Sequence, residues 1–125
     1  MSLSNILLVG LGAAIGGIVR YLASVFIQSP EGAFPWATLL VNVAGSFIIG
    51  ILLFYYTDRN TLSEASRLFL TVGFCGGFTT FSTFSAETIQ LFQLRHELLA
   101  FVYICSSVVA SLGATYAGLA IARSF

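Results

Sequence analysis

Hydrophobic positions fall into four long runs, approximately 3–27, 35–57, 65–93 and 98–122, and short stretches between them hold most of the charges. Each run exceeds the ~20 residues that an α-helix needs to cross ~30 Å of hydrocarbon. The pattern predicts an all-α membrane protein, with four transmembrane helices in a single domain over residues 1–125 and no extramembrane unit. The first run lacks a basic leader and continues too long before its first break, so it is expected to be retained rather than cleaved as a signal peptide.

The connections read as turns. Ser29-Pro30-Glu31-Gly32 followed by Pro35 has turn chemistry. Trp36 then sits where an interfacial aromatic belongs, and Tyr55 and Tyr56 match it at the far end of the second run. Asp58-Arg59-Asn60 makes the next loop, and Thr61 with Glu64 has the spacing of a capping box that opens the third helix. Arg95-His96-Glu97 makes the last connection, with His96 expected as a solvated loop residue.

The third run is the unusual one. Gly73, Gly76 and Gly77 lie close together, and each weakens a helix by ~1 kcal/mol relative to alanine. Phe78-Thr79-Thr80-Phe81-Ser82-Thr83-Phe84-Ser85 follows, alternating rings with hydroxyls. Backbone freed from helical pairing inside hydrocarbon must be buried in protein or line a water-filled cavity. A helix broken near mid-membrane, rich in polar atoms, is where small solutes bind or pass.

Polar positions on two other helices are in register with this idea. Thr38, Asn42, Gly45 and Ser46 share one face of the second helix. Alone, Asn42 reads more readily as an interhelical hydrogen bond, which averages ~0.6 kcal/mol in membranes. Tyr103, Ser107, Ser111 and Thr115 recur every four residues along the fourth helix. Three stripes together point to a hydrated pathway. Phe81 and Phe84 alone read as core or lipid-facing side chains, yet aromatic ring edges carry positive character that suits a bare anion. Glu87, about one turn beyond Phe84, is free at this stage to pair with an arginine, carry protons or reach the interface. Gly12, Ala13, Gly16 and Gly17 on the first helix form a small-residue stripe that lets backbones approach closely. Arg20 continues that face, either snorkelling to the interface or holding a positive charge that draws anions into a vestibule.

Composition agrees with the membrane reading: 58% of residues are hydrophobic and 8% are charged, against ~25% charged in an ordinary soluble domain. Cys75 and Cys105 both lie within apolar runs and are expected as small buried residues rather than a disulfide. Neither paired catalytic carboxylates nor a nucleophile–histidine arrangement can be drawn, so no enzymatic activity is expected, and no nucleic-acid partner either. With four spans, Arg59, Arg67 and Arg123 share one side, while Arg20 and Arg95 lie toward the other. Three against two is almost no positive-inside bias. Such a chain is expected to insert both ways round, which permits an antiparallel dimer.

Taken together, these residues resemble the CrcB/Fluc fluoride channels of microbes. The resemblance covers essentially the whole chain and is most specific over Gly76-Gly77-Phe78-Thr79-Thr80-Phe81-Ser82-Thr83-Phe84-Ser85. Gly16-Gly17 with Arg20-Tyr21, and the run from Thr38 to Phe47, support it; Ala37 stands where the family often has glycine. The resemblance implies a dual-topology antiparallel homodimer in a bacterial inner (plasma) membrane, conducting fluoride passively out of the cytoplasm through two pores built from both subunits. It further implies a structural sodium ion at the dimer centre, held by backbone carbonyls of Gly76 and Thr79. Phe81 and Phe84 map onto the family's phenylalanine box, Asn42 onto its pore asparagine, and Tyr103, Ser107 and Ser111 onto its hydroxyl track. Arg20 maps onto the vestibule arginine, with Thr83 and Glu87 near the ion path. The alternative is a small multidrug resistance type proton-coupled exporter, which would need an acidic residue in the first helix where this chain has only Arg20.

Overall fold

The computed structural model describes residues 2–125 and is helical almost throughout. Helix α1 spans Leu3–Phe26, and α2 spans Trp36–Leu53 and runs on through a π-helical turn, Phe54–Asp58. Helix α3 covers Glu64–Gln93 and α4 covers Glu97–Arg123. All four are long and apolar enough to cross a membrane. At ~1.5 Å per residue, the 24 residues of α1 reach ~36 Å, more than the ~30 Å of a hydrocarbon core.

The opening of α3 differs from the expected capping box. Ser63 is the cap, in extended conformation, and its hydroxyl accepts from the Ser66 N–H at 3.1 Å. Thr61 is used elsewhere: its N–H donates to the Tyr55 carbonyl at 2.9 Å, closing a loop that turns at Asn60 with φ 48°. Glu64 accepts instead from the Asn5 side chain at 3.3 Å, tying α3 to the start of α1. The nearer hydroxyl caps because the loop has already claimed the farther one. The two loops at the opposite end are joined as well. His96 is exposed, yet its Nδ1 lies 2.9 Å from the carbonyl of Gly32, which takes the positive φ (75°) that its turn requires.

Two close helix pairs make the protomer: α1 against the first half of α3, and α2 against α4. Small residues set both. A Cβ on Gly16 would run into the Phe74 carbonyl and within 2.8 Å of the Phe78 nitrogen. The stripe on α1 therefore marks a helix–helix contact within the chain. At the other pair, Gly118 of α4 meets the Phe47 carbonyl of α2 in the same way.

A modest core of Leu39, Leu91, Ala100 and Tyr103 joins α2, α3 and α4, with Phe34 and Phe84 packed against it. Elsewhere large apolar side chains face outward. Leu98, Val109 and Leu112 of α4 are 77%, 70% and 68% exposed. Faces this apolar need lipid or another protein surface against them.

Candidate ion pathway

The pathway residues gather around an interruption in α3. Its first half, residues 64–78, includes a π-helical stretch, Leu68–Cys75, and ends at Phe78. Thr79 and Thr80 then take extended backbone (ψ 159° and 116°), and helix resumes over Phe81–Gln93. Every backbone group set free there has to find a partner, and side chains supply several. Thr79 donates its N–H and its hydroxyl to the Cys75 carbonyl at 2.9 and 2.8 Å. The Thr80 N–H donates to Asn42 Oδ1 at 2.7 Å, and Asn42 Nδ2 donates back to the Thr80 carbonyl at 3.0 Å. The Thr80 hydroxyl caps the second half, accepting from the Thr83 N–H at 3.1 Å and donating to Thr83 Oγ1 at 2.9 Å. Asn42 is thus an interhelical hydrogen bond as well as a wall residue, and its partner is backbone.

On one side of the interruption lies a chamber of about 410 Å³, open along the protomer surface and lined by Asn42, Thr79, Thr80, Phe81, Phe84, Ser107, Ser111 and Thr115. The Phe81 and Phe84 rings lie 5.4 Å apart, tilted by 47°, and Phe84 in turn lies 5.1 Å from Tyr103. Phe84 is half-buried on the core, whereas Phe81 is 79% exposed. The fourth-helix stripe divides on inspection. Tyr103 is fully buried and donates to Glu87 Oε2 at 2.6 Å. Thr115 is satisfied by backbone, within reach of the Ser46 and Ser111 carbonyls at 3.0 and 3.1 Å. Ser107 is buried in the chamber wall, and its hydroxyl is the one buried side-chain polar atom without a protein partner among the described residues.

On the other side opens a wider cavity of about 650 Å³, whose walls include Arg20, Gln28, Glu31, Thr38, Thr83, Glu87 and Gln90. Thr80 borders both spaces. Glu87 lies between the helices, accepting from Thr38 Oγ1 at 2.8 Å as well as from Tyr103, so two hydroxyls rather than an arginine hold it. Arg20 takes part in no ion pair among the described residues, which leaves its charge to the cavity. Gly76 and Thr79 sit at the interruption itself, Gly76 exposed on the protomer surface.

Asn42, Phe81, Phe84, Ser107 and Ser111 therefore share the chamber, and Arg20, Thr83 and Glu87 the wider cavity; Tyr103 stands behind both as a support. Thr80 escaped the sequence reading as a site residue, and Thr38, read on the polar face of the second helix, was not foreseen as a partner of Glu87. For Thr80 a signal existed: a hydroxyl three residues before Thr83, after a glycine-rich stretch, is N-cap spacing.

Comparison with known proteins gives the family. The family described as "CrcB-like protein, Camphor Resistance (CrcB)" matches residues 7–119. A curated relative from Agrobacterium fabrum, named fluoride-specific ion channel FluC, is 46% identical over 121 residues, covering 96% of this chain and 97% of its own length. Relatives of the same name from Nitrobacter winogradskyi and Flavobacterium psychrophilum are 44% and 42% identical, each covering at least 97% of this chain and 98% of its own length. Four helices able to span a membrane, polar side chains converging on an interrupted third helix, and likeness over nearly the full length lead to one conclusion: the chain belongs to the CrcB family.

Proposed function

We propose that this multi-pass plasma-membrane protein is a fluoride channel that lets cytoplasmic fluoride leave the cell passively. The observation that carries the reading is the Ser107 hydroxyl, buried without a protein partner in a chamber walled by Phe81, Phe84 and Asn42. A small anion there would gain an O–H donor and positive ring edges, with no formal charge to trap it. Conduction needs sites strong enough to enter and weak enough to leave, and this set is weak at every step. Arg20, unpaired in the wider cavity, would raise the local anion concentration before dehydration begins.

The pore would be completed by a second copy, antiparallel in the membrane, with the interruption of α3 near mid-membrane. Phe81 and Gly76 are exposed on the protomer, as groups that belong at a subunit contact would be. The arginine distribution, three against two, favours neither orientation. Two copies would yield two pathways.

A sodium ion fits the same interruption. In a continuous helix the Gly76 carbonyl would accept from the Thr80 N–H, and the Thr79 carbonyl from the Thr83 N–H. Both donors go to side chains instead, to Asn42 Oδ1 and Thr80 Oγ1. Carbonyls released in this way suit a sodium ion, which would supply a fixed positive charge joining the two subunits.

Export is tested in cells. In a bacterium deprived of its own fluoride exporter, expression of this chain is expected to restore growth in fluoride medium, and Asn42→Asp is expected not to. Growth that stays fluoride-sensitive, with the wild-type protein present in the membrane, would overturn the reading.

A further inference from the structure

We propose that Thr80 and Asn42 act as positioning residues for a cation, by removing the two helical N–H donors that would otherwise occupy its carbonyl ligands. The inference rests on the sodium reading above and adds to it which side chains keep the carbonyls available. The pairing is explicit. Asn42 Oδ1 takes the Thr80 N–H at 2.7 Å, leaving the Gly76 carbonyl without its helical partner. Thr80 Oγ1 takes the Thr83 N–H at 3.1 Å, doing the same for the Thr79 carbonyl. Asn42 also donates to the Thr80 carbonyl at 3.0 Å, so it holds both peptide groups of Thr80, the first of which carries the Thr79 carbonyl.

The mechanism follows from the obligatory pairing of buried backbone groups. Remove the Thr80 hydroxyl, and the Thr83 N–H has no acceptor nearer along its own helix than the Thr79 carbonyl. Remove the Asn42 amide, and the Thr80 N–H turns to the Gly76 carbonyl. Each change lets the helix reclaim a ligand that the cation needs. Both residues thus belong to the chamber wall as well as to the cation's support, so the anion pathway and the cation are linked through Asn42 and Thr80.

The test reads sodium binding rather than flux. Purified protein is unfolded thermally across a sodium series, with N-methyl-D-glucamine holding ionic strength constant; a ligand of the folded state raises its stability in proportion to occupancy. The wild type and Thr80→Ser, which keeps the acceptor, are expected to share one sodium midpoint. Thr80→Val and Asn42→Leu are expected to need roughly tenfold more sodium, or to lose the response. Ser106→Ala, which removes a hydroxyl that donates only to the Val102 and Tyr103 carbonyls of its own helix, is expected to change nothing. A wild-type midpoint in folded Thr80→Val, or a lost response in folded Thr80→Ser, overturns the proposal. Should the valine variant not fold, the serine variant decides alone: a retained midpoint supports the proposal and a lost one overturns it. A wild-type protein stabilised equally by both cations would instead remove the sodium reading itself, and the proposal with it.

Discussion

The two halves of α3 are held in the molecule by different means. Residues 64–78 lie on α1 mainly through close backbone contact, with Gly16 admitting Phe74 and Phe78, Gly77 facing Ala13, and one exposed side-chain hydrogen bond from Asn5 to Glu64. The half over Phe81–Gln93 is also tied by side-chain hydrogen bonds: Asn42 holds Thr80 at its head, and Glu87 bridges Thr38 and Tyr103 about two turns later. The first half is fixed by close packing, which tolerates little change in volume. The second rests on Leu91 and Phe84 in the core and on polar groups, several of which also line the cavities, so the chemistry of conduction and the support of the helix share atoms.

That contrast makes separable predictions. The largest effect is expected at the packed half. Gly16→Val drives a branched side chain into the Phe74 backbone, which cannot swing away as a side chain would. Overpacking typically costs ~1–3 kcal/mol, and more where the obstacle is backbone. Loss of the monodisperse peak on size-exclusion chromatography is the expected result. A well-folded valine variant would remove the contrast.

At the polar half the expected loss is in flux, with the fold retained. Asn42→Asp keeps the acceptor for the Thr80 N–H but loses the donor to the Thr80 carbonyl, and it adds negative charge to the chamber wall. Fluoride efflux is expected to fall at least about tenfold, with an unchanged chromatographic profile. Unchanged anion flux would mean that Asn42 does not line the path.

The phenylalanines come next. Isoleucine at Phe81 or Phe84 keeps bulk and removes the ring edge, whose contacts are worth ~0.5–1.5 kcal/mol, or roughly two- to tenfold in rate. Phe84→Ile should also cost some stability, because Phe84 packs on Tyr103, whereas Phe81→Ile, at a ring exposed on the protomer, is expected to weaken the dimer instead. Undiminished flux in both folded variants would rule out the ring-edge role. The smallest effect is expected farthest from the interruption. His96→Ala removes the link to Gly32 at an exposed site, so stability should shift within ~0.5 kcal/mol and flux should hold.

The spans were legible in the sequence almost to the residue. The run 35–57 became Trp36–Asp58, and 65–93 became Glu64–Gln93, because hydrophobic length is a one-dimensional property that a membrane reads directly. The stripes were legible too, since helical periodicity alone puts Asn42 with Ser46 and Ser107 with Ser111. What each polar group bonds to was not. Thr115 and Tyr103 are satisfied while Ser107 is not, although all three obey one spacing. The difference lies in which carbonyl or carboxylate a neighbouring helix presents. The cap made by Thr80 was within reach of its spacing, but its bond to Asn42 was not, because that partner lies 38 residues away. Thr61 misled because its own loop had a stronger claim on it than the helix.

The central claim is selective fluoride movement through the chamber beside the interrupted helix. It is tested most directly by efflux from liposomes holding the purified protein, read with a fluoride electrode beside a parallel chloride assay. Fast fluoride release with negligible chloride release is the predicted result. Folded protein that releases no fluoride, or releases chloride as readily, would contradict it.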